Sequence, residues 1–109
     1  MYATVRRYEG IDKTRSGEVT TKVEESLAPS LAKLPGFAGY YLIDAGDGVF
    51  TSISLFENAS EAAESTRISA EWVREQKFES ALPNPPKITM GEVTVHEPHA
   101  AMHGVPTLA

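Results

Sequence analysis

The sequence predicts a single α+β domain with the element order β-α-β-β-α-β, and three observations predict it. Residues 2–9, 37–56 and 87–96 are rich in β-branched and aromatic residues, as strands are. The two stretches between them carry apolar residues at helical spacing. Glycine- and proline-containing breaks, "PG" at 35–36, "DAGDG" at 44–48 and "LPNPP" at 82–86, separate the pieces.

In the first strand, "YATVRRYE", alternation puts Tyr2, Thr4, Arg6 and Tyr8 on one face and Ala3, Val5 and Arg7 on the other. The polar loop "GIDKTRS" follows, and Ser16 is the expected N-cap of a helix, with Glu18 in the first turn where the helix dipole favours an anion. Val19, Val23, Leu27, Leu31 and Leu34 form its apolar stripe. Pro29 sits inside that stripe, where a proline removes a backbone hydrogen bond, so a bend or break is expected near residues 25–29.

The hairpin that follows should place Phe37, Tyr41 and Ile43 on one side and Tyr40 and Leu42 on the other. On its return strand Val49, Ile53 and Leu55 oppose Phe50 and Phe56, and the glycines of "DAGDG" supply the positive φ of the turn. Asn58 or Ser60 caps a second helix running to about Phe78. Its main stripe reads as Ala59, Ala62, Ala63, Thr66, Ala70 and Val73, with Ile68 and Trp72 on a different side. After the stiff "LPNPP" connector, residues 87–96 form the last strand. Residues 1–97 are thus expected to form the domain and 98–109 a loose C-terminal tail.

This order is the ferredoxin-like arrangement, a four-stranded antiparallel sheet with both helices on one face. The other face also carries large apolar residues, and no chain remains for a third layer. A symmetric homodimer through the sheet face is the expected cover, a folded-back tail the alternative.

Composition narrows the function classes. The chain has 109 residues and no cysteine, which excludes disulfides, thiol catalysis and cysteine-ligated metals. A net charge of −5 argues against general nucleic-acid binding. No apolar run approaches the ~20 residues of a spanning helix, and "MYATVRRYEG" lacks the features of a signal peptide, so a cytoplasmic protein without a membrane partner is expected. His96, His99 and His103 have spacings of three and four, yet Pro98 interrupts them; a solvated tail is expected and no metal site.

The segments "MYATVRRYEG", "LPGFAGYYLIDAGDG", "SISLFENASEAAES" and "GEVTVHEP" resemble the antibiotic biosynthesis monooxygenase-like family of dimeric α/β barrels. The resemblance implies a homodimer with packed sheets and a ligand cleft in each subunit between helices and sheet. It further implies oxygenation of phenolic aromatic compounds without a cofactor, or haem degradation. The haem-degrading branch needs an Asn on the first strand, a Trp early in the second helix and an iron-binding His about ten residues later. Here Arg6 stands near the first position, Trp72 comes too late and no His lies in the second helix, so haem is not expected.

Four residues are candidate pocket groups: Arg6, Tyr8, Tyr41 and Trp72. Arg6 would hold an anion or phenolate with Tyr8 donating beside it; alternatively it pairs with Glu9, Glu57 or Glu92. Tyr40 and Tyr41 point to opposite sides, each either packing or handling a proton in a pocket. Trp72 either packs under a loop, the tail or a partner, or stacks on an aromatic ligand. The small residues of the second helix either permit close packing or leave room for a ligand. No phosphate loop and no Ser-His-Asp pattern is present. The expected function is a cofactor-independent monooxygenase acting on a small phenolic metabolite, with a non-catalytic homodimeric binding or stress-related protein as the alternative.

Overall fold

Alternation along the strands sets the two faces of the sheet, and the rest of the chain packs on one of them. The computed structural model describes residues 1–97; the tail expected at 98–109, with His99 and His103, lies outside the described residues. The elements are β1 (Tyr2–Tyr8), a 3₁₀ turn (Lys13–Arg15), α1 (Ser16–Lys22), a π turn (Val23–Leu27), α2 (Ala28–Ala32), β2 (Phe37–Gly46), β3 (Val49–Phe56), α3 (Ala59–Glu75) and β4 (Lys87–Glu92). The sheet is antiparallel with strand order β2-β3-β1-β4, the ferredoxin-like topology. β4 ends at Glu92 rather than at the expected His96, and His96 is exposed.

Thr4, Arg6, Phe50, Ser52, Ser54 and Phe56 point toward the helices and are buried. Phe37 departs from the expected alternation. The register shifts between Phe37 and Gly39, so Ala38 is an extra residue in β2 and Phe37 turns to the helix side. There its ring meets Phe56 edge-on at 5.7 Å.

The hairpin turns at Asp47 and Gly48, both with positive φ, the geometry that matches strand twist. Gly48 has a second constraint: a Cβ there would lie 3.1 Å from the Ile11 carbonyl oxygen, because the Ile11 N–H donates to the Gly48 carbonyl. Gly46 shares the positive φ but has open space around it. Gly46→Ala should therefore cost about 1–2 kcal/mol, the left-handed strain alone. Gly48→Ala should cost more, and the difference in urea midpoint between the two variants measures the Ile11 contact.

Asp12, not Ser16, caps the first helical region: its side chain accepts from the Thr14 N–H at 3.0 Å, and α1 grows out of the resulting 3₁₀ turn. Ile11, in the loop read as polar, is buried in the core. The bend or break expected near residues 25–29 takes the form of the π turn, closed by the Ala28 N–H to the Val23 carbonyl. A proline cannot donate to the fourth residue before it, and a wider turn removes that demand. It also takes up the drift of three successive steps of four around a helix of 3.6 residues per turn. Val19, Val23, Leu27 and Leu31 accordingly all stay buried.

Asn58 caps α3, accepting from the Glu61 N–H at 3.2 Å. The face of α3 that meets the sheet is Ala62, Ser65, Ser69 and Trp72; of the expected stripe only Ala62 is buried, and Ala59, Ala63 and Ala70 are exposed. The helix stops at Glu75, and Phe78 returns to the core against Trp72, ring centroids 5.5 Å apart. On the outer surface Arg67 pairs with Glu64 and, at 2.7 Å, with Glu71 one helical turn on, an i,i+4 pair. Among the described residues, no helix is long and apolar enough to cross a membrane.

Candidate functional site

The site starts from one residue in the middle of β1. Alternation turns Arg6 under α3, where it is 1% exposed. Its Nη1 donates to Ser54 Oγ at 3.1 Å, and its Nη2 donates to Ser65 Oγ and Thr66 Oγ1, both at 2.9 Å. Ser54 comes from β3, the strand beside β1; Ser65 and Thr66 come from the second turn of α3. Ser65 gives its own proton to the Ala62 carbonyl, which leaves its oxygen lone pairs for the guanidinium.

None of the carboxylates weighed as partners pairs with Arg6. Glu9 is taken by Arg7 at 2.8 Å and by Lys87 at 3.2 Å, and among the described residues no carboxylate lies within ion-pair distance of Arg6. Its Nε–H is buried without any partner. A buried cation held only by neutral hydroxyls is costly, because desolvation is repaid by dipoles and not by a counter-charge. Burial pulls the guanidinium below its ordinary pKa, while Tyr8 and then Tyr40 act in the opposite direction. Arginine nevertheless stays protonated in proteins.

Beside Arg6 opens a cleft of about 270 Å³. β1 supplies Arg6 and Tyr8; α3 supplies Thr66, Ala70, Val73 and Arg74; the connector supplies Glu79 and residues 82–86. Its polar groups therefore sit on the floor and at the mouth, with apolar walls between. Asn84 fixes the proline-rich wall to the end of β1 through Nδ2–H to the Glu9 carbonyl at 3.0 Å. The neighbouring Gly10 has φ +72, and a Cβ there would sit 2.6 Å from Asn84 Nδ2.

Tyr8 also borders a second, inner cavity of about 30 Å³, lined among others by Tyr40, Ser52, Ser69 and Trp72. Val73 and Leu82 complete the partition between the two spaces. Burial raises the Tyr8 pKa, opposed by Arg6, and pushes Tyr40 up to about 12. Both phenols are therefore neutral hydrogen-bonding groups near pH 7.

Of the four sequence candidates, Arg6 and Tyr8 meet at the cleft. Tyr41 lies on the opposite face of the sheet, 58% exposed. Trp72 belongs to the core: its Nε1–H donates at 2.7 Å to Ser26 Oγ, which itself donates to the Lys22 carbonyl beside the π turn. It borders the inner cavity and not the cleft. Leu27, Leu31 and Phe56 are buried in the core and do not line the cleft. Ser54, Ser65 and Thr66 were not foreseen. Their signal was serine at inward positions of β3, in "TSIS", and at i,i+4 on α3 as Ser65 and Ser69.

No family model matches the sequence, and neither does any curated protein. Solved structures do share the fold. A protein of unknown function from Nitrosomonas europaea superposes with a TM-score of 0.71 at 17% identity, over 91% of this chain and 94% of the other. The ActVA-Orf6 monooxygenase of Streptomyces coelicolor, solved with nanaomycin D, gives 0.69 at 15% identity, over 90% and 92%. SnoaB, a cofactor-independent oxygenase from Streptomyces nogalater, gives 0.65 at 12% identity, over 90% and 97%. The chain has the fold of antibiotic biosynthesis monooxygenase-like proteins, and at these identities the likeness concerns the fold.

Proposed function

We propose that the cleft binds a small phenolic aromatic metabolite as its oxyanion, against Arg6, and that the protein oxygenates it without a cofactor. The observation that carries this reading is the buried Arg6 guanidinium with no carboxylate partner at the floor of an apolar-walled cleft. At about 270 Å³ the cleft is just under the roughly 300 Å³ at which small-molecule sites begin, which suits a compact ring system. The fold shared with ActVA-Orf6 and SnoaB supports the reaction class.

The chemistry asks little of the chain. Arg6 favours the deprotonated ligand, and an electron-rich anion reduces oxygen directly. With an anthrone, one atom of O₂ becomes the new carbonyl oxygen, and the other leaves as water with the two methylene hydrogens. The substrate thus supplies every electron. The proline-rich connector walls one side of the cleft, and Tyr8 is placed to donate a hydrogen bond beside Arg6. Two copies joined through the exposed sheet face complete the assembly.

Oxygen uptake with a panel of anthrones and quinols tests the proposal. Turnover is expected with the wild-type protein and a drop of about 10²-fold in Arg6→Gln, the usual effect of losing an oxyanion donor. Uptake equal in both proteins would remove Arg6 from the mechanism. The alternative, a homodimeric binding protein without turnover, is favoured by one feature: burial raises the Tyr8 pKa, so Tyr8 is no base at neutral pH. Arg6-dependent binding with no oxygen uptake by any panel member would establish it.

A further inference from the structure

The hydrogen bonds that hold Arg6 decide which kind of anion it accepts. A guanidinium recognises carboxylates and phosphates through a fork, two parallel N–H groups along one edge. Both such edges available to a ligand use Nη2: one pairs it with Nε, the other with Nη1. Nη2 has two N–H groups, and its two acceptors are Ser65 Oγ and Thr66 Oγ1. Nη1 has already given one N–H to Ser54. The uncommitted donors are therefore the Nε–H, which has no partner, and a single Nη1 N–H. They do not share an edge, so no fork is left.

We infer that Ser65 and Thr66 are specificity-determining residues: by occupying Nη2 they make Arg6 a one-point donor that prefers a single-oxygen anion, a phenolate or enolate, over a carboxylate or phosphate. The inference rests on the proposed anion site and narrows its ligand class. It also gives the buried hydroxyls a role beyond packing. Ser65 is fixed for this task, because its proton is committed to the Ala62 carbonyl and its oxygen can only accept from Arg6. Thr66 is half-buried and lines the cleft itself, so on the cleft side it takes up an Nη2 donor that a carboxylate fork would need.

The test uses the full chain and two probes of matched shape, 4-nitrophenol and 4-nitrobenzoate, titrated calorimetrically at a pH where both are ionised. The colour of the nitrophenolate reports its ionisation in the bound state. In the wild-type protein nitrophenolate should bind about tenfold or more tightly than nitrobenzoate. Thr66→Val and Ser65→Ala each release an Nη2 N–H, and in at least one of them nitrobenzoate should gain about tenfold while nitrophenolate changes little. Circular dichroism confirms that each variant is folded, and Thr66→Ser, which keeps the hydroxyl, should retain the wild-type preference. Equal affinity for the two probes in the wild type, or no gain of nitrobenzoate in either variant, overturns the inference while Arg6-dependent nitrophenolate binding keeps the anion site. Nitrophenolate binding that is absent, or indifferent to Arg6→Gln, overturns the anion site and the inference with it.

Discussion

Arg6→Leu should leave the protein folded, with thermal stability equal to or above that of the wild type, and should abolish binding of phenolate ligands. The two halves of this expectation come from one fact. Arg6 is the most deeply buried charge in the described structure, and three neutral hydroxyls are all that answer it. Replacing buried ionic groups by well-packed apolar ones is often neutral or stabilising, by about 1–4 kcal/mol. Of the three hydroxyls that lose a donor, Ser65 keeps its bond to the Ala62 carbonyl and Thr66 is half-buried beside the cleft, so the cost falls on the buried Ser54, about 1–3 kcal/mol against that gain. On the binding side, an oxyanion loses a charge-assisted hydrogen bond of about 1.5–3 kcal/mol and the attraction of a whole buried cation. A loss of about 10²-fold or more follows. Thermal melting and calorimetric titration of the same sample decide the matter. A variant that melts well below the wild type would make Arg6 a structural residue, with the hydroxyls as its purpose.

The same residue shows what could be read from the sequence and what could not. Strand alternation alone put Arg6, Tyr8 and Thr4 on one face, and the hairpin glycines, the Asn58 cap and the four-step leucine stripe were equally local signals. The partners of Arg6 were not local. Ser54 is 48 residues away and Ser65 59, and hydropathy patterning treats a serine as a solvent-facing residue. Patterning therefore places the buried stripe of α3 along Ala59, Ala62, Ala63, Thr66, Ala70 and Val73, and the packed face keeps Ala62 alone of these and runs on through Ser65, Ser69 and Trp72. Once the buried guanidinium is in place, those serines are satisfied polar groups and their burial is explained. Phe37 failed for a different reason: one inserted residue, Ala38, reverses the parity of the strand, and nothing in a list of residue types marks where a bulge falls. The π turn was half legible. Pro29 announced a fault in the helix, but whether the chain breaks or widens there depends on keeping Val23 and Leu27 in the core together.

Ile53→Glu should convert the proposed homodimer into a monomer. The sheet face turned away from the helices presents Ala3, Val5, Tyr41, Ile43, Ile53 and Leu55, in register across β1, β2 and β3. Tyr41 and Ile43 are 58% and 45% exposed in the isolated chain. Ile53 lies at the centre of this surface, paired with Val5 on one side and Tyr41 on the other. In a twofold assembly one substitution introduces two carboxylates, one per copy, into the layer between the sheets. Each must be desolvated without a partner, at an effective cost of several kcal/mol. In the isolated chain Ile53 is only half-buried, so the glutamate reaches water there and the domain remains folded. Sedimentation at micromolar concentration should give twice 11.8 kDa for the wild type and 11.8 kDa for Ile53→Glu, with Lys22→Glu, on the exposed surface of α1, still dimeric. A wild-type particle of 11.8 kDa would mean that this face stays in water. The outcome bears on the cleft as well, because Val5 and Arg6 are neighbours on β1 with side chains on opposite faces. A partner sheet packed on Val5 and Ile53 holds β1 from behind, and the position of the Arg6 guanidinium under α3 is then set from both sides of the sheet. Phenolate affinity should accordingly fall in Ile53→Glu even though no cleft residue has changed.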